Sequence, residues 1–371
     1  MPEAIIIGAG PAGSFAAILL ERGGWRVTLM EQHVFPRDKV CGECLSALGL
    51  AVLRRAELLA GLTTDAPVIL TQANLHAADG QSVCIPLSGT MWGLSRAVLD
   101  LRLLDAARAA GAKVLQPARC EGVEPGERPR VAWRDLQTNR RHESAADVVL
   151  VADGKGALLP HRPARGTVDF GIKAHFTGVT GPRNAIELFG VRGHYGGVAP
   201  IEGDRWNAAF SVPEAELRGA GGDLDRLVSR IVSQNATLQS RFAAAQRAGT
   251  WCASPLPRFA VSDAWPAGVI PIGNAAAALE PIGGEGMGLA LRSAEMAAEM
   301  LLANGVHATS VLRISFRRLW RVRSAACRVA ARVLSSPSMA GSVVELLDGN
   351  PGLARMAMAL MGKSGRAINW A

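Results

Sequence analysis

Three glycines at fixed spacing, Gly8, Gly10 and Gly13, constrain this chain more than any other feature. The apolar run Ala4-Ile5-Ile6-Ile7 before them predicts a short strand buried on both faces. Residues 14–22 follow with helical periodicity and stop at Gly23-Gly24. Residues 25–30 predict a second strand, closed by Glu31 with Gln32 beside it. A strand, a Gly-x-Gly-x-x-Gly turn and a helix, with an acid 23 residues after Gly8, make the βαβ arrangement that cradles a dinucleotide. The first glycine permits the tight turn. The second, followed by Pro11 and Ala12, lets the backbone approach a pyrophosphate, and the third packs helix on strand. Free N–H groups at the helix start favour the phosphates. Glu31 is placed to bond ribose hydroxyls and disfavours a 2′-phosphate.

The rest of the chain must complete that unit. Its 371 residues suggest two or three domains, and 49% hydrophobic against 19% charged residues exclude general disorder. No apolar run reaches the roughly 18 residues of a membrane-spanning helix. Met1-Pro2-Glu3-Ala4 lacks the basic start of a secretory signal, and six cysteines are too sparse for a disulfide scaffold, so a cytoplasmic setting is expected. The net charge of +8 lies entirely in residues 301–371, where ten Lys/Arg meet only Glu345 and Asp348. A nucleic-acid partner is therefore not expected, because no binding motif accompanies the charge.

Further along, residues 67–87 predict two strands around an Asp79-Gly80 turn, and residues 95–110 an amphipathic helix closed by Gly111. Residues 147–152 read as another buried strand running into Asp153-Gly154. Strands are expected over 168–176, 185–189, 195–201 and 206–212, helix over 214–247, and a strand at 268–272. A helix over 286–303 and a helical tail from 310, broken near 335–338, complete the reading.

Four blocks, in order across residues 1–300, resemble the flavoprotein superfamily that contains geranylgeranyl reductases, flavin-dependent halogenases and aromatic-ring hydroxylases. They are the glycine motif with Glu31; Arg37-Asp38-Lys39-Val40-Cys41-Gly42-Glu43; Asp153-Gly154; and residues 273–288. The second and fourth are most similar to the geranylgeranyl reductase group. The resemblance implies an α/β fold, with a Rossmann-like FAD-binding domain on a parallel sheet, an antiparallel-sheet substrate domain and C-terminal helices. It implies FAD as cofactor and NAD(P)H as electron donor. The implied boundaries are 1–60, 92–165 and 251–305 for the discontinuous FAD domain, 61–91 and 166–250 for the substrate domain, and 306–371 for a basic helical region. Cofactor contacts are implied from Arg37, Cys41, Arg96, Asp153, Gly273, Asn274, Pro281, Gly284, Glu285, Gly286 and Met287. The family pattern has Gly-Asp where this chain has Gly273-Asn274; Asn keeps an acceptor and loses the charge. Independently of the family, a helix beginning near Gly286 would aim N–H groups at negative charge on a reduced flavin.

Two local features bear on chemistry. Cys41-Gly42-Glu43-Cys44 has C-x-x-C spacing, but no second pair has metal-ligand spacing, so no metal is expected, and Cys41 is a candidate thiol beside the flavin. In His194-Tyr195-Gly196-Gly197-Val198-Ala199-Pro200, the resembling reductases have Tyr-x-Trp-x-Phe-Pro. Here Tyr195 and Pro200 remain, while Gly197 and Ala199 replace two large aromatics. Positions 195, 197 and 199 share one strand face, so a wide pocket for a lipophilic aromatic, polyketide or isoprenoid molecule is expected there. Loss of the aromatic wall leans the reading toward monooxygenation, with C=C reduction as the alternative and a flavin-binding interaction protein without turnover as a third. In the tail, Arg313, Arg317, Arg318, Arg321, Arg323 and Arg328 interleave with Leu312, Phe316, Leu319 and Trp320. Such a helix either packs its apolar stripe internally or meets an anionic membrane surface or an acidic carrier protein.

Overall fold

The computed structural model describes residues 1–154, 158–159, 169–257, 259–262, 265–307 and 309–362. The N-terminal apolar run forms β1 (Glu3–Ile7), and the glycine turn leads into α1 (Pro11–Arg22). β2 (Arg26–Met30) returns parallel to β1. The Cys41 loop ends in β3 (Cys44–Leu45) and α2 (Ala47–Arg55), whose first turn is capped by the Ser46 side chain accepting from the Gly49 N–H. After α3 (Leu59–Thr63), β4 (Val68–His76) and β5 (Ser82–Gly93) form the expected hairpin. α4 (Arg96–Ala110) begins at capping Ser95 and ends at Gly111. Then come β6 (Lys113–Leu115), β7 (Ala118–Glu124), β8 (Arg130–Asp135), β9 (Arg141–Ala145) and β10 (Val148–Val151). β11 (Asp169–Thr177), β12 (Ala185–Val191), β13 (His194–Ile201) and β14 (Arg205–Pro213) follow, then α5 (Glu214–Gly219), α6 (Leu224–Val232) and α7 (Ala236–Arg241). β15 (Gln246–Pro255), β16 (Val269–Pro271), α8 (Gly286–Asn304), α9 (Thr309–Leu334), α10 (Pro337–Asp348) and α11 (Pro351–Leu360) complete the chain.

The first sheet has the order β16-β10-β1-β2-β6, all parallel. Ala4, Ile6, Leu29, Val148 and Leu150 face a core shared with α1, α4 and α8. Ile5, Ile7, Met30, Val149 and Val151 face the small sheet β7-β8-β9 through Val131. Burial on both faces explains why these strands are apolar without alternation.

The second sheet has the order β15-β11-β14-β13-β12-β4-β5-β3 and is antiparallel except where β12 runs parallel to β4. Phe189, Val198 and Phe210 pack under Leu227, Ile231 and Leu238 of α6 and α7. The opposite face carries Ile186, Leu188, Tyr195 and Ala199 toward the C-terminal helices.

Two expectations change, and one strand is new. The single helix over 214–247 is three short helices, because Gly221 and Gly222 take left-handed φ of 64° and 83° and Asn235 caps a new start. β15 then crosses the expected boundary at 250/251 and belongs to the substrate sheet. β9, Arg-His-Glu-Ser-Ala, is a polar edge strand with no apolar pattern to reveal it. The boundary expected at 165/166, residues 155–157 after Asp153-Gly154, and residues 363–371 lie outside the described residues.

The tail's apolar stripe is used inside the molecule. Leu312, Phe316 and Trp320 are 3%, 0% and 2% exposed and join the first core. Cys327, Ala331 and Leu334 pack against the second sheet's inner face. No helix among the described residues is long and apolar enough to cross a membrane.

Candidate cofactor and substrate site

The glycine turn is built by close backbone contact. A Cβ on Gly13 would lie 1.8 Å from the Gly8 carbonyl oxygen, and Gly8 itself has φ +100° against the Ala152 carbonyl. Neither position admits another residue. Gly10 differs, since a Cβ there would meet only Arg96 Nη2 at 3.6 Å. The structure therefore leaves room above Gly10 that its own packing does not need, where the first-turn N–H groups of α1 point. Glu31 is buried, and its two oxygens accept from the N–H groups of Ala9 at 2.9 Å and His33 at 2.8 Å. It clamps the turn to the end of β2.

Cationic side chains gather beside this turn. Arg96 makes two bonds to Asp100, at 2.8 and 2.6 Å, and Arg37 makes a third at 2.9 Å. Burial opposes the Arg96 charge, but Asp100 and the nearby Cys41 thiol overcome it and hold its pKa above the ordinary value. Among the described residues Lys39 has no such partner. Burial, reinforced by Arg96 and Arg37, lowers its pKa from 10.5 to about 8. Its ammonium lies 3.0 Å from where a Cβ on Gly154 would stand.

The Cys41 loop is anchored from below by Glu43, which is fully buried with φ +54°. Its carboxylate accepts from the Arg96 backbone N–H at 2.9 Å and from Lys173 Nζ at 2.7 Å, and pairs with His175 Nε2 at 2.6 Å. Burial would raise its pKa; His175 and Lys173 outweigh that and lower it. Asp38 joins through Lys173 at 2.8 Å. Asp38, Glu43 and His175 have the proximity of metal ligands, but the Lys173 ammonium already bridges the two carboxylates as the cation. No disulfide joins Cys41 and Cys44.

The second half of the chain closes the cavity. Gly273, Asn274, Pro281, Gly284, Gly286 and Met287 line it together with Gly10, Pro11, Ala12, Lys39, Cys41 and Arg96. A Cβ on Gly286 would meet no atom within 4 Å, a second open place over a helix start. The substrate sheet forms the remaining wall, where Tyr195, Gly197 and Ala199 face inward beside Leu188 and Ser211. Space over two helix N-termini, flanked by cations, fits the pyrophosphate and ring system of FAD.

Several expected contacts are placed elsewhere. Gly8, Gly13 and Glu31 shape the turn but do not line the cavity, and Gln32 is exposed. Arg37 is held by Asp100 behind the lining residues, and Asp153 accepts from the Leu158 N–H at 3.2 Å. Glu285 turns toward the tail: a Cβ on Gly362 would lie 2.8 Å from Glu285 Cγ and 2.9 Å from Arg323 Nε. This gives Arg323, the polar interruption of the apolar stripe, an acidic neighbour. Pro200 points away from the cavity, and its carbonyl stands 1.9 Å from where a Cβ on Gly93 would be. Sequence reasoning missed Lys173 and His175, although ionisable residues at alternate positions within the otherwise apolar stretch 170–176 were a usable signal. It also missed Glu280, which accepts a 2.6 Å hydrogen bond from the Tyr195 hydroxyl. Nothing local in the sequence marks that pairing.

Comparison with known proteins bears on the cofactor. Residues 1–184 match the model of the FAD binding domain family. Menaquinone reductase of Mycolicibacterium smegmatis is 28% identical over 327 residues, covering 82% of this chain and 77% of that protein. Kynurenine 3-monooxygenase of Xanthomonas campestris pv. campestris is 32% identical over 164 residues, covering 42% of this chain and 36% of that protein. Among solved structures, the flavin-dependent brominase Bmp2 superposes with a TM-score of 0.81 at 19% identity, covering 100% of this chain and 96% of that one. This last likeness concerns the fold.

Proposed function

This chain is an FAD-dependent oxidoreductase, and from that premise we propose that it reduces a carbon–carbon double bond in a lipophilic isoprenoid or prenylated-quinone substrate, with NAD(P)H as electron donor. Bound FAD would take up two electrons and return them as hydride. The observation that carries the reading is the apolar wall of Leu188, Gly197 and Ala199, which lies in one cavity with the Gly10 and Gly286 cradles. The chain's part is to hold and orient. Lys39 and Arg96 keep the cradle positive, and the start of α8 favours negative charge at its end of the cavity. The menaquinone reductase match, which runs along 82% of the chain, supports reduction over the oxygenation that the sequence motif alone favoured.

The partner that delivers such a molecule is proposed from the outer face of α9, a helix without a single acidic residue. Val311, Ile314, Val322 and Val329 are 62%, 51%, 55% and 59% exposed there, among the exposed Arg318, Arg321 and Arg332. Exposed aliphatic side chains among arginines complement an anionic bilayer.

The test is an anaerobic one. Protein reduced with one equivalent of NAD(P)H is mixed with menaquinone in detergent micelles. Return of oxidised flavin is expected, with a product that after reoxidation in air is still a quinone by its ultraviolet spectrum and heavier by two hydrogens in the side chain. Flavin that stays reduced until oxygen is admitted, with a product that gains an oxygen atom, would overturn the reductase reading.

A further inference from the structure

We propose that Tyr195 and Glu280 form the proton donor of this site, delivering to the substrate carbon the proton that accompanies hydride. The proposal rests on the reductase reading above. Tyr195 is the only tyrosine in the chain, and its ring lies on the substrate wall, 6% exposed, at the face it shares with Gly197 and Ala199. Its hydroxyl sits between two groups. Glu280 Oε1 accepts from it at 2.6 Å, and Ser211 stands directly across the β13–β14 pairing on the sheet side. Glu280 stands immediately before Pro281, which lines the cofactor end of the same cavity. The phenol therefore bridges the flavin-facing turn and the substrate wall.

The hydrogen-bond inventory of the pair gives it two states. With Glu280 ionised, the phenol proton is committed to the carboxylate. With Glu280 protonated, its O–H donates to the phenol oxygen, and the phenol O–H is free to point into the cavity. The groups around the pair favour the second state over a wider pH range than usual. Burial raises the Glu280 pKa and outweighs the Tyr195 hydrogen bond, which lowers it; the negative charge of Asp169 on β11 adds to the rise, and Arg328 on α9 opposes it. Burial, then Glu280, keeps the Tyr195 phenol neutral well above the ordinary range, with Cys327 on α9 contributing in the same sense.

The step balances. The C=C π bond breaks: its electron pair takes the phenol proton at one carbon, and the hydride that bound reduced flavin would supply forms the C–H bond at the other. Glu280 restores that proton to the phenolate and is itself reprotonated from water, to which it is partly open.

Two measurements on the FAD-loaded protein test this. The first needs no substrate: the ultraviolet band of the ionised phenol is followed with pH, with Tyr195→Phe as the blank that cancels the flavin. Ionisation at lower pH in Glu280→Gln than in the parent is expected, and an unchanged titration would dissolve the pair. The second follows formation of the side-chain dihydro product when reduced protein is mixed anaerobically with menaquinone. Tyr195→Phe should slow it on the order of 100-fold or more, at unchanged FAD content and menaquinone affinity. Glu280→Gln should abolish the fall in rate as pH rises through the Glu280 titration. A Tyr195→Phe protein as fast as the parent would overturn the proposal. A parent that forms no such product would count against the reductase reading alone, leaving the titration to decide the pair.

Discussion

At the scale of single residues, Lys39 has the clearest consequence. In the free protein its amine loses its proton near pH 8, because burial and two arginines disfavour the charge. An anionic ligand in the cavity reverses that balance. Below about pH 8 the ammonium is already present and binding needs no proton. Above it, each bound ligand must draw one from solution, so affinity should fall roughly tenfold per pH unit. FAD titration of the apoprotein between pH 7 and 9.5 is expected to show this bend, and Lys39→Met is expected to remove it. A pH-independent affinity in the parent would mean that the amine does not meet the cofactor. The lysine stood in a recognisable motif, yet its lowered pKa was not legible there. It depends on Arg96, which folding brings beside it from another element.

Between elements, the contact of α2 with α8 is set by two glycines. A Cβ on Gly288 would stand 2.2 Å from Ser46 Oγ and 3.0 Å from the Gly49 nitrogen. Gly288→Ala should force the helices apart at a cost of about 1–3 kcal/mol, seen as a lower Tm of the apoprotein. Gly286→Ala, two residues earlier, meets nothing within 4 Å. It should leave the apoprotein Tm unchanged and reduce retained flavin; full flavin content would show that the open space is not the cradle. The same contrast explains what the sequence revealed of the elements. β1, α1 and β10 were legible because continuous apolar runs and glycine punctuation belong to each segment. β9 and β15 were not, since edge strands with solvent on one side impose little pattern on their residues. The glycines of 283–288 stood out as a group, but which of them serve packing and which serve a ligand depends on neighbours far away in the chain.

At the scale of the whole molecule, the tail is both a structural part and an outer surface. Because Leu312, Phe316 and Trp320 belong to the main core, removing α9 should unfold the protein and cannot test a surface role. Substitutions on the outer face can. Arg318, Arg321 and Arg332 changed together to Gln should weaken co-sedimentation with phosphatidylglycerol vesicles about 100-fold at low salt, at roughly 1 kcal/mol per charge. Tm should remain that of the parent. Equal binding by parent and variant, or equal binding to neutral vesicles, would remove the bilayer as partner. The sequence displayed both the stripe and the arginines, and only the packed structure could tell which face was already occupied.

Glu43 has a consequence for how such proteins are taken apart and recombined. Its carboxylate ties the Cys41 loop and the start of α4, both on the cofactor side, to Lys173 and His175 in the substrate sheet. A chimera cut at the apparent seam between the two sheets would inherit half of this knot and strand an ionised group in its interior. The exchangeable part is therefore not a domain. A substrate sheet grafted from a relative should be accepted only when Glu43, Lys173 and His175 travel together.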